Sequence, residues 1–255
     1  DHVGISGLAA RKDGLIVGRQ NTVHQFTGNS NRDFRAVKVT ENAGIEIQES
    51  VQVWRDVVYW LWKDGVYEMG PGGTITNISD GNAGRGMVRS WFTTDSYFNQ
   101  AEFDQAFSVI IPNRNVYRLF LCSAGSSTID RFVDFDFKDR TWWGPHTITG
   151  LTPSCAFMRL NSDDRFIPMV GMSSGRMYLE QATRTDDTAT AISLSVVTKQ
   201  HDGGTPNIDK AFTRTRLLQV AQSGGRMTVT PAVGEFEAPA ATQTLQADLT
   251  VPSQE

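Results

Sequence analysis

Apolar residues along the chain occur in short runs separated by turn-forming residues, and the three-to-four-residue spacing of an amphipathic helix is nearly absent. The run Val57–Trp62 is followed by Lys63-Asp64-Gly65 and then by Val66-Tyr67. An Asp-Gly pair between apolar runs is the strongest short-range signal for a β-hairpin, because a type I′ turn requires positive φ at both central positions. This segment therefore predicts a hairpin.

The same plan recurs along the chain, with turn centres near residues 20, 64, 114, 174 and 224. The spacing of about 45–60 residues between turns favours an all-β fold built as a β-propeller-like array of antiparallel blades, each with about four strands. A β-sandwich with irregular hairpins is the alternative. We expect a propeller-like domain over residues 1–236, followed by an extended C-terminal segment over residues 237–255, which is richer in Ala, Thr, Gln and Pro.

One helix is predicted, within residues 86–99, where Met87, Val88, Trp91 and Phe92 have helical spacing. Elsewhere the pattern is typical of strands. In Phe132-Val133-Asp134-Phe135-Asp136-Phe137 the alternation predicts that the apolar side chains share one face of a strand and the two aspartates the other.

Charge and cysteine content narrow the function classes. The 24 Lys and Arg residues against 28 Asp and Glu residues give a net charge of −4, which argues against a dedicated nucleic-acid-binding protein. Cys122 and Cys155 are the only cysteines, which excludes a disulfide framework, and both are expected to be buried free thiols.

Few residues indicate chemistry. Asp134, Asp136 and Asp139 could supply oxygen ligands to Ca²⁺, but a solvent-facing strand edge followed by a turn is the favoured interpretation. A glycosidase would need two convergent carboxylates. Candidate pairs include Glu102 with Asp104 and Asp134 with Asp136, and nothing in the sequence marks any pair as buried or convergent. The four histidines have no metal-like spacing; they are His2, His24, His146 and His201.

Several motifs follow one another in a distinctive order. They are the strand–turn–strand of residues 14–26, a turn at Gly44, the pair Ser50-Val51, the Asp64-Gly65-Val66-Tyr67 hairpin, residues 75–79, Val133-Asp134-Phe135-Asp136 with Trp142-Trp143, and Gly203-Gly204-Thr205-Pro206 with Lys210-Ala211-Phe212. This succession, over most of residues 10–230, resembles that of β-propeller proteins in the virions of tailed bacteriophages.

The resemblance is to adaptor (packaged-DNA stabilisation) proteins at the head-to-tail connection and to tail nozzle proteins. It implies a non-enzymatic structural protein of the virion that is assembled in the host cytoplasm. The protein would form a multimeric ring around the DNA channel, and six-fold symmetry is expected. It further implies contacts with portal, adaptor or tail proteins, passage of genomic DNA without sequence-specific binding, no membrane insertion, and neither catalytic residues nor a cofactor.

A ring requires surfaces through which subunits dock, and exposed aromatic side chains are common in such surfaces. Trp91, Phe92, Tyr97 and Phe98 are therefore the expected interface residues. A carbohydrate-binding propeller lectin and a propeller glycosidase remain the alternative functions.

Overall fold

The computed structural model confirms that the chain is all-β, with antiparallel sheets and few helices. It describes residues 4–28, 30, 32–81, 88–94, 96–161 and 165–179, together with four short strands nearer the C-terminus. The chain divides into two compact units, residues 1–194 and 195–255.

The first two sheets are four-stranded meanders in which each strand pairs with the next one along the chain. Sheet 1 contains β1 (Gly7–Arg11), β2 (Gly14–Gly18), β3 (Val23–Thr27) and β4 (Arg35–Thr40). Sheet 2 contains β5 (Gln52–Trp54), β6 (Val57–Trp62), β7 (Gly65–Met69) and β8 (Ile75–Asn77). The hairpins predicted near residues 20 and 64 are thus confirmed.

The second of these hairpins differs in detail from the type I′ expectation. Trp62 pairs with Gly65, so Lys63 and Asp64 form the turn and Gly65 opens β7. Gly65 has φ 152°, and a Cβ added there would lie 2.9 Å from the Ser79 hydroxyl oxygen. Glycine is required at the strand start because this backbone conformation and close approach exclude a side chain.

Sheet 3 repeats the four-stranded meander, and sheet 4 has three strands. Sheet 3 contains β9 (Phe107–Ile111), β10 (Val116–Cys122), β11 (Ile129–Asp136) and β12 (Thr141–Thr147). Sheet 4 contains β13 (Pro153–Leu160), β14 (Phe166–Met172) and β15 (Met177–Leu179). The hairpins near residues 114 and 174 are confirmed, as is the alternation of β11, in which Val133 and Phe135 are fully buried.

Two further strand pairs follow. They are β16 (Asp186–Asp187) with β17 (Thr190–Ala191), and β18 (Arg226–Val229) with β19 (Leu245–Asp248). The hairpin predicted near residue 224 pairs residues 217–220 with the segment that contains Met227 and Val229, which the structure shows as β18. Residues 217–220 lie outside the described residues, and the partner of β18 is β19.

The predicted helix is present but short: α1 spans Arg89–Thr93. It ends at Thr94, whose backbone is extended, and Phe98 then forms a β-bridge with Ser123 beside sheet 3. Short 3₁₀ turns occupy Gln48–Ser50 and Gln100–Gln105. Throughout the described part of the chain, every helix is too short to cross a bilayer.

The second strand of sheet 2 has no solvent-facing side. Val58 and Trp60 of β6 belong to a core cluster shared with Ile16 and Val23 of sheet 1. Tyr59 and Leu61, which alternate with them in β6, belong to a separate cluster shared with sheet 3. Because consecutive strand residues point to opposite faces, sheet 2 lies between sheets 1 and 3.

Strand β10 divides its side chains in the same way. Tyr117 and Leu119 pack toward sheet 2, whereas Val116 and Phe120 join a third cluster against which Met158 of sheet 4 packs. The four sheets of residues 4–179 therefore pack face to face in the order in which they occur in the chain.

Ser50 joins two of these sheets through a buried network. Its hydroxyl donates to the Ile47 carbonyl at 2.8 Å and accepts from the Leu61 backbone N–H at 3.0 Å. Its carbonyl accepts from the hydroxyls of Ser108 and Tyr117, each at 2.9 Å. Since a buried polar group is costly when unpaired, Ser50 fixes β6 against the first two strands of sheet 3.

Replacing Ser50 with alanine tests this network. The Leu61 N–H and the Ile47 carbonyl would each lose a buried partner, so we expect Ser50→Ala to lower the free energy of unfolding by about 2 kcal/mol. Urea denaturation followed by tryptophan fluorescence measures this change. The exposed Ser90→Ala variant is the control and should stay within about 0.5 kcal/mol of wild type; equal effects of the two substitutions would contradict the assigned role of Ser50.

Candidate functional site

The first strands of three successive sheets border one cleft of about 420 Å³. Its walls come from Gln52–Trp54 of β5, from residues 108–110 of β9 with Pro112, and from residues 156–158 of β13. Each of these strands lies at the edge of its own sheet and pairs with a neighbour on one side only. The cleft therefore forms where three sheet edges meet.

Side-chain amides satisfy backbone groups at these edges. The Gln52 amide nitrogen donates to the Ser108 carbonyl of β9 at 2.9 Å. In sheet 1, the Gln48 side chain accepts from the Leu8 N–H at 2.5 Å and donates to the Leu8 carbonyl at 3.1 Å. An unpaired strand edge can pair with another strand through its free backbone groups. By occupying such groups, Gln52 and Gln48 hinder strand addition at β9 and β1.

Most residues that line the cleft have apolar side chains, and none of these side chains ionises. Val53 is 38% exposed and Phe157 is 43% exposed, but both side chains point away from the junction. Trp54 packs toward sheet 3, so its neighbour Val53 faces the sheet 1 side, and Phe157 lies on the outer face of β13 because Ala156 and Met158 pack on sheet 3. The Trp54 ring stacks on Phe137 with centroids 5.8 Å apart, and the Arg55 guanidinium lies 5.3 Å from the Trp54 centroid.

The aromatic residues expected at an interface separate into two groups. Phe92 and Phe98 are fully buried in the core cluster between sheets 2 and 3, with ring centroids 5.5 Å apart. Trp91 is partly buried against that cluster, and Tyr97 is 41% exposed. Only Trp91 and Tyr97 thus present surface to a partner in this conformation, and the interface itself stays a prediction.

Two of the three aspartates that suggested a calcium loop, Asp134 and Asp136, have protein partners for their carboxylates. The Asp134 carboxylate accepts two hydrogen bonds of 2.7 Å from the buried Arg118 guanidinium. Asp136 accepts from the backbone N–H groups of Lys138 and Asp139, at 2.7 and 3.0 Å. Within the described residues no group of three or more His, Cys, Asp or Glu side chains could hold a metal ion.

The Arg118–Asp134 pair lies within sheet 3, whereas the ion pair of Arg140 with Glu68 joins sheets 3 and 2. The Arg140 guanidinium donates two hydrogen bonds, of 3.0 and 2.7 Å, to the Glu68 carboxylate. Hydrogen bonding to Glu68 raises the pKa of Arg140, and burial raises the pKa of the adjacent Tyr59 hydroxyl. Near neutral pH Arg140 therefore stays protonated and Tyr59 stays neutral. The Arg140–Glu68 ion pair holds sheet 3 against sheet 2.

The remaining candidate acids and histidines do not converge. Glu102 and Asp104 lie on the 3₁₀ turn Gln100–Gln105, where the Gln105 side chain donates to Glu102. His24 lies in β3 and His146 in β12, where it stacks on Phe132 with centroids 4.7 Å apart. His2 and His201 lie outside the described residues.

The thiols differ from the prediction that both are buried. Cys122 is 2% exposed in β10, and burial raises its pKa to about 11. Cys155 is also free but exposed, because it lies on the face of β13 opposite the face that packs on sheet 3. The expectation of burial was wrong for Cys155 because sheet 4 is covered on one face only within the described residues.

With this geometry established, comparison with known proteins gives no identification: no family model and no curated protein matches the chain.

The cleft was not visible in the sequence. Its residues are ordinary strand residues in three runs separated by about 50 positions, and they converge only when the sheets stack. The one available signal was the recurrence of the hairpins, since equivalent strands of stacked repeats come together.

The two cysteines provide a direct test of this surface. We expect Ellman's reagent at pH 8 to titrate one thiol rapidly in the native protein and both after denaturation, because the thiolate is the reactive form and Cys122 is buried with a raised pKa. In Cys155→Ser the rapid phase should vanish. Rapid reaction of two thiols in the native wild type would contradict the burial of Cys122.

Proposed function

We propose that the chain is a non-enzymatic structural protein of a bacteriophage tail or head-to-tail connection. In this proposal the meander sheets are blades of a β-propeller, and the protein assembles as a multimeric ring around the DNA channel. The carrying observation is the succession of four-stranded meanders packed face to face, in which β1 contacts β5, β5 contacts β9, and β9 contacts β13. A propeller requires this proximity of the first strands of successive blades.

The residues that carry the resemblance to phage propellers support the proposal through their structural roles. Ser50 joins sheets 2 and 3, and Gly65 allows the close approach of Ser79. The Ser79 hydroxyl accepts from the Val66 N–H at 2.9 Å, and the Tyr67 hydroxyl donates to Asp64 at 2.7 Å. The residues of this motif thus make contacts that build sheet 2 and pack it on sheet 3.

The charge of the chain is compatible with this role. Stable binding of DNA requires Lys and Arg contacts with phosphates, which a chain of net charge −4 does not favour as a whole. A ring of such subunits would surround passing DNA without retaining it. Stacked sheets with short edges also form the rigid scaffold that repeated side-by-side docking needs.

Mass photometry of the full chain, alone and mixed with the portal protein of the same phage, tests the proposal. We expect a closed ring of about six copies, or about six copies added to each portal complex. A monomer that ignores the portal would contradict the proposal, and binding on a glycan array would instead favour the lectin alternative.

A variant of Tyr97 tests whether the interface prediction is sound. Tyr97 is exposed, so Tyr97→Asp should place a charge in the contact and shift the assembly toward monomers without lowering the melting temperature. Phe34→Asp is the matched control, since it places the same charge at an exposed aromatic residue of the sheet 1 region and should leave the assembly unchanged. An unchanged assembly in Tyr97→Asp would remove this residue from the interface.

A further inference from the structure

The outer face of sheet 4 is apolar and open to solvent. Ala156, Met158 and Val170 pack on sheet 3, so the side chains that alternate with them point the other way. Met177 is 57% exposed and Leu179 is 42% exposed on this outer face. The strand register brings six such side chains together; they are Cys155, Phe157, Ile167, Met169, Met177 and Leu179.

Cross-strand pairing makes this apolar surface continuous. Phe157 lies opposite Met169, and Met169 lies opposite Leu179. In the adjacent row the Cys155 sulfur lies over Gly171, 2.7 Å from the position that a Cβ would take there. A contiguous exposed apolar surface is typical of a place where another molecule binds.

Two arginines border the apolar surface near the β13–β14 connection. Arg159 is two residues after Phe157 and lies opposite Ile167. The Asn161 N–H donates to the Arg165 carbonyl at 2.9 Å, which continues the pairing and places Arg165 on the same face as Arg159. Both arginines are exposed, and among the described residues no ion pair or side-chain hydrogen bond engages either guanidinium.

A molecule that covers this face has to satisfy its own backbone. The six apolar side chains present no oxygen or nitrogen atom, so a single extended strand would place part of its N–H and C=O groups against them without partners. An α-helix pairs its backbone groups internally and can present one apolar stripe. The chemistry of the face therefore favours a helix.

The size of the face agrees with a helix. Strands lie about 4.8 Å apart and rise about 3.4 Å per residue, so three strands with about five paired residues cover about 14 by 17 Å. A helix of about three turns is about 16 Å long and about 10 Å wide. A second folded subunit would need about 800 Å² on each partner for a stable interface, which is more than this face supplies.

We propose that the outer face of sheet 4 binds an amphipathic, acidic α-helix of a partner protein. The apolar stripe of the helix covers the six apolar side chains, and carboxylates beside that stripe meet Arg159 and Arg165. Opposite charges across an interface give specificity and accelerate association. The inference goes beyond the proposed function and does not depend on it.

Fluorescence anisotropy with the full chain tests the proposal. The probe is a fluorescein-labelled peptide of about fourteen residues, in which leucines spaced i, i+3, i+4 and i+7 form one stripe and glutamates flank it. We expect saturable binding that Met177→Asp and Arg159→Glu each weaken about tenfold or more. A peptide with lysines in place of the glutamates should bind wild type weakly and Arg159→Glu more tightly.

The thiol of Cys155 provides a second measurement on the same face. It is free and exposed, and it lies beneath the position proposed for the helix. Unlabelled peptide should therefore slow the reaction of this thiol with Ellman's reagent in proportion to the fraction of protein that is bound.

Matched controls separate recognition from folding and from general charge effects. Arg176→Glu changes the exposed arginine that precedes Met177, whose side chain alternates to the opposite face. Leu8→Asp places a charge at an exposed leucine of sheet 1. Both variants should bind the peptide as wild type does. Melting temperatures of all variants are compared, and Leu179→Ser replaces Met177→Asp if the latter unfolds.

Three further results would each overturn the proposal. The first is no saturable binding, or binding that Met177→Asp and Arg159→Glu leave unchanged. The second is equally tight binding of a peptide with two central prolines, which cannot form the helix. The third is protection of Cys155 that increases with protein concentration in the absence of peptide, which would assign this face to a second copy of the chain.

Discussion

The two central strands β6 and β10 have no face turned to water, and the rest of the fold follows from this constraint. Alternate side chains of each strand enter different cores, so both faces of sheets 2 and 3 must be covered by another sheet. An isolated antiparallel sheet with these side chains would leave an apolar face in contact with water. Stacking in chain order removes that surface using only short connections.

Large aromatic residues in these cores bring polar atoms that need partners. The indole N–H of Trp60 donates to the Gly44 carbonyl at 2.7 Å, and that of Trp142 donates to the Ile78 carbonyl at 2.9 Å. In each case a tryptophan of one sheet bonds to backbone associated with the preceding sheet. The same device therefore satisfies buried donors and sets the position of one sheet on the next.

Local pattern was sufficient to predict the class of fold and most hairpins. Turn residues and alternation identified four hairpins near residues 20, 64, 114 and 174, because strand register depends on nearby residues. The burial of Phe92 and Phe98 was not predictable in this way. Both residues lie in a short aromatic-rich segment whose burial depends on a bridge to Ser123, a contact distant in sequence.

Long-range pairing also explains what was missed at the candidate site. The cleft depends on three edge strands brought together by stacking, and the Arg118–Asp134 pair depends on the register of β10 with β11. Neither can be read from residue spacing. The aspartate cluster that suggested a cation site is better explained by an ion pair and by hydrogen bonds to turn amides.

Hydrogen exchange at the tryptophan indoles of the full ¹⁵N-labelled chain tests the stacking of the sheets most directly. With resonances assigned by single Trp→Phe variants, we expect the indole N–H groups of Trp60 and Trp142 to exchange with deuterium only as fast as the protein unfolds globally. The indole of Trp143, which is 60% exposed, should exchange at once and provides the internal reference. Exchange of Trp60 or Trp142 as rapid as that of Trp143 would contradict the face-to-face packing of the sheets.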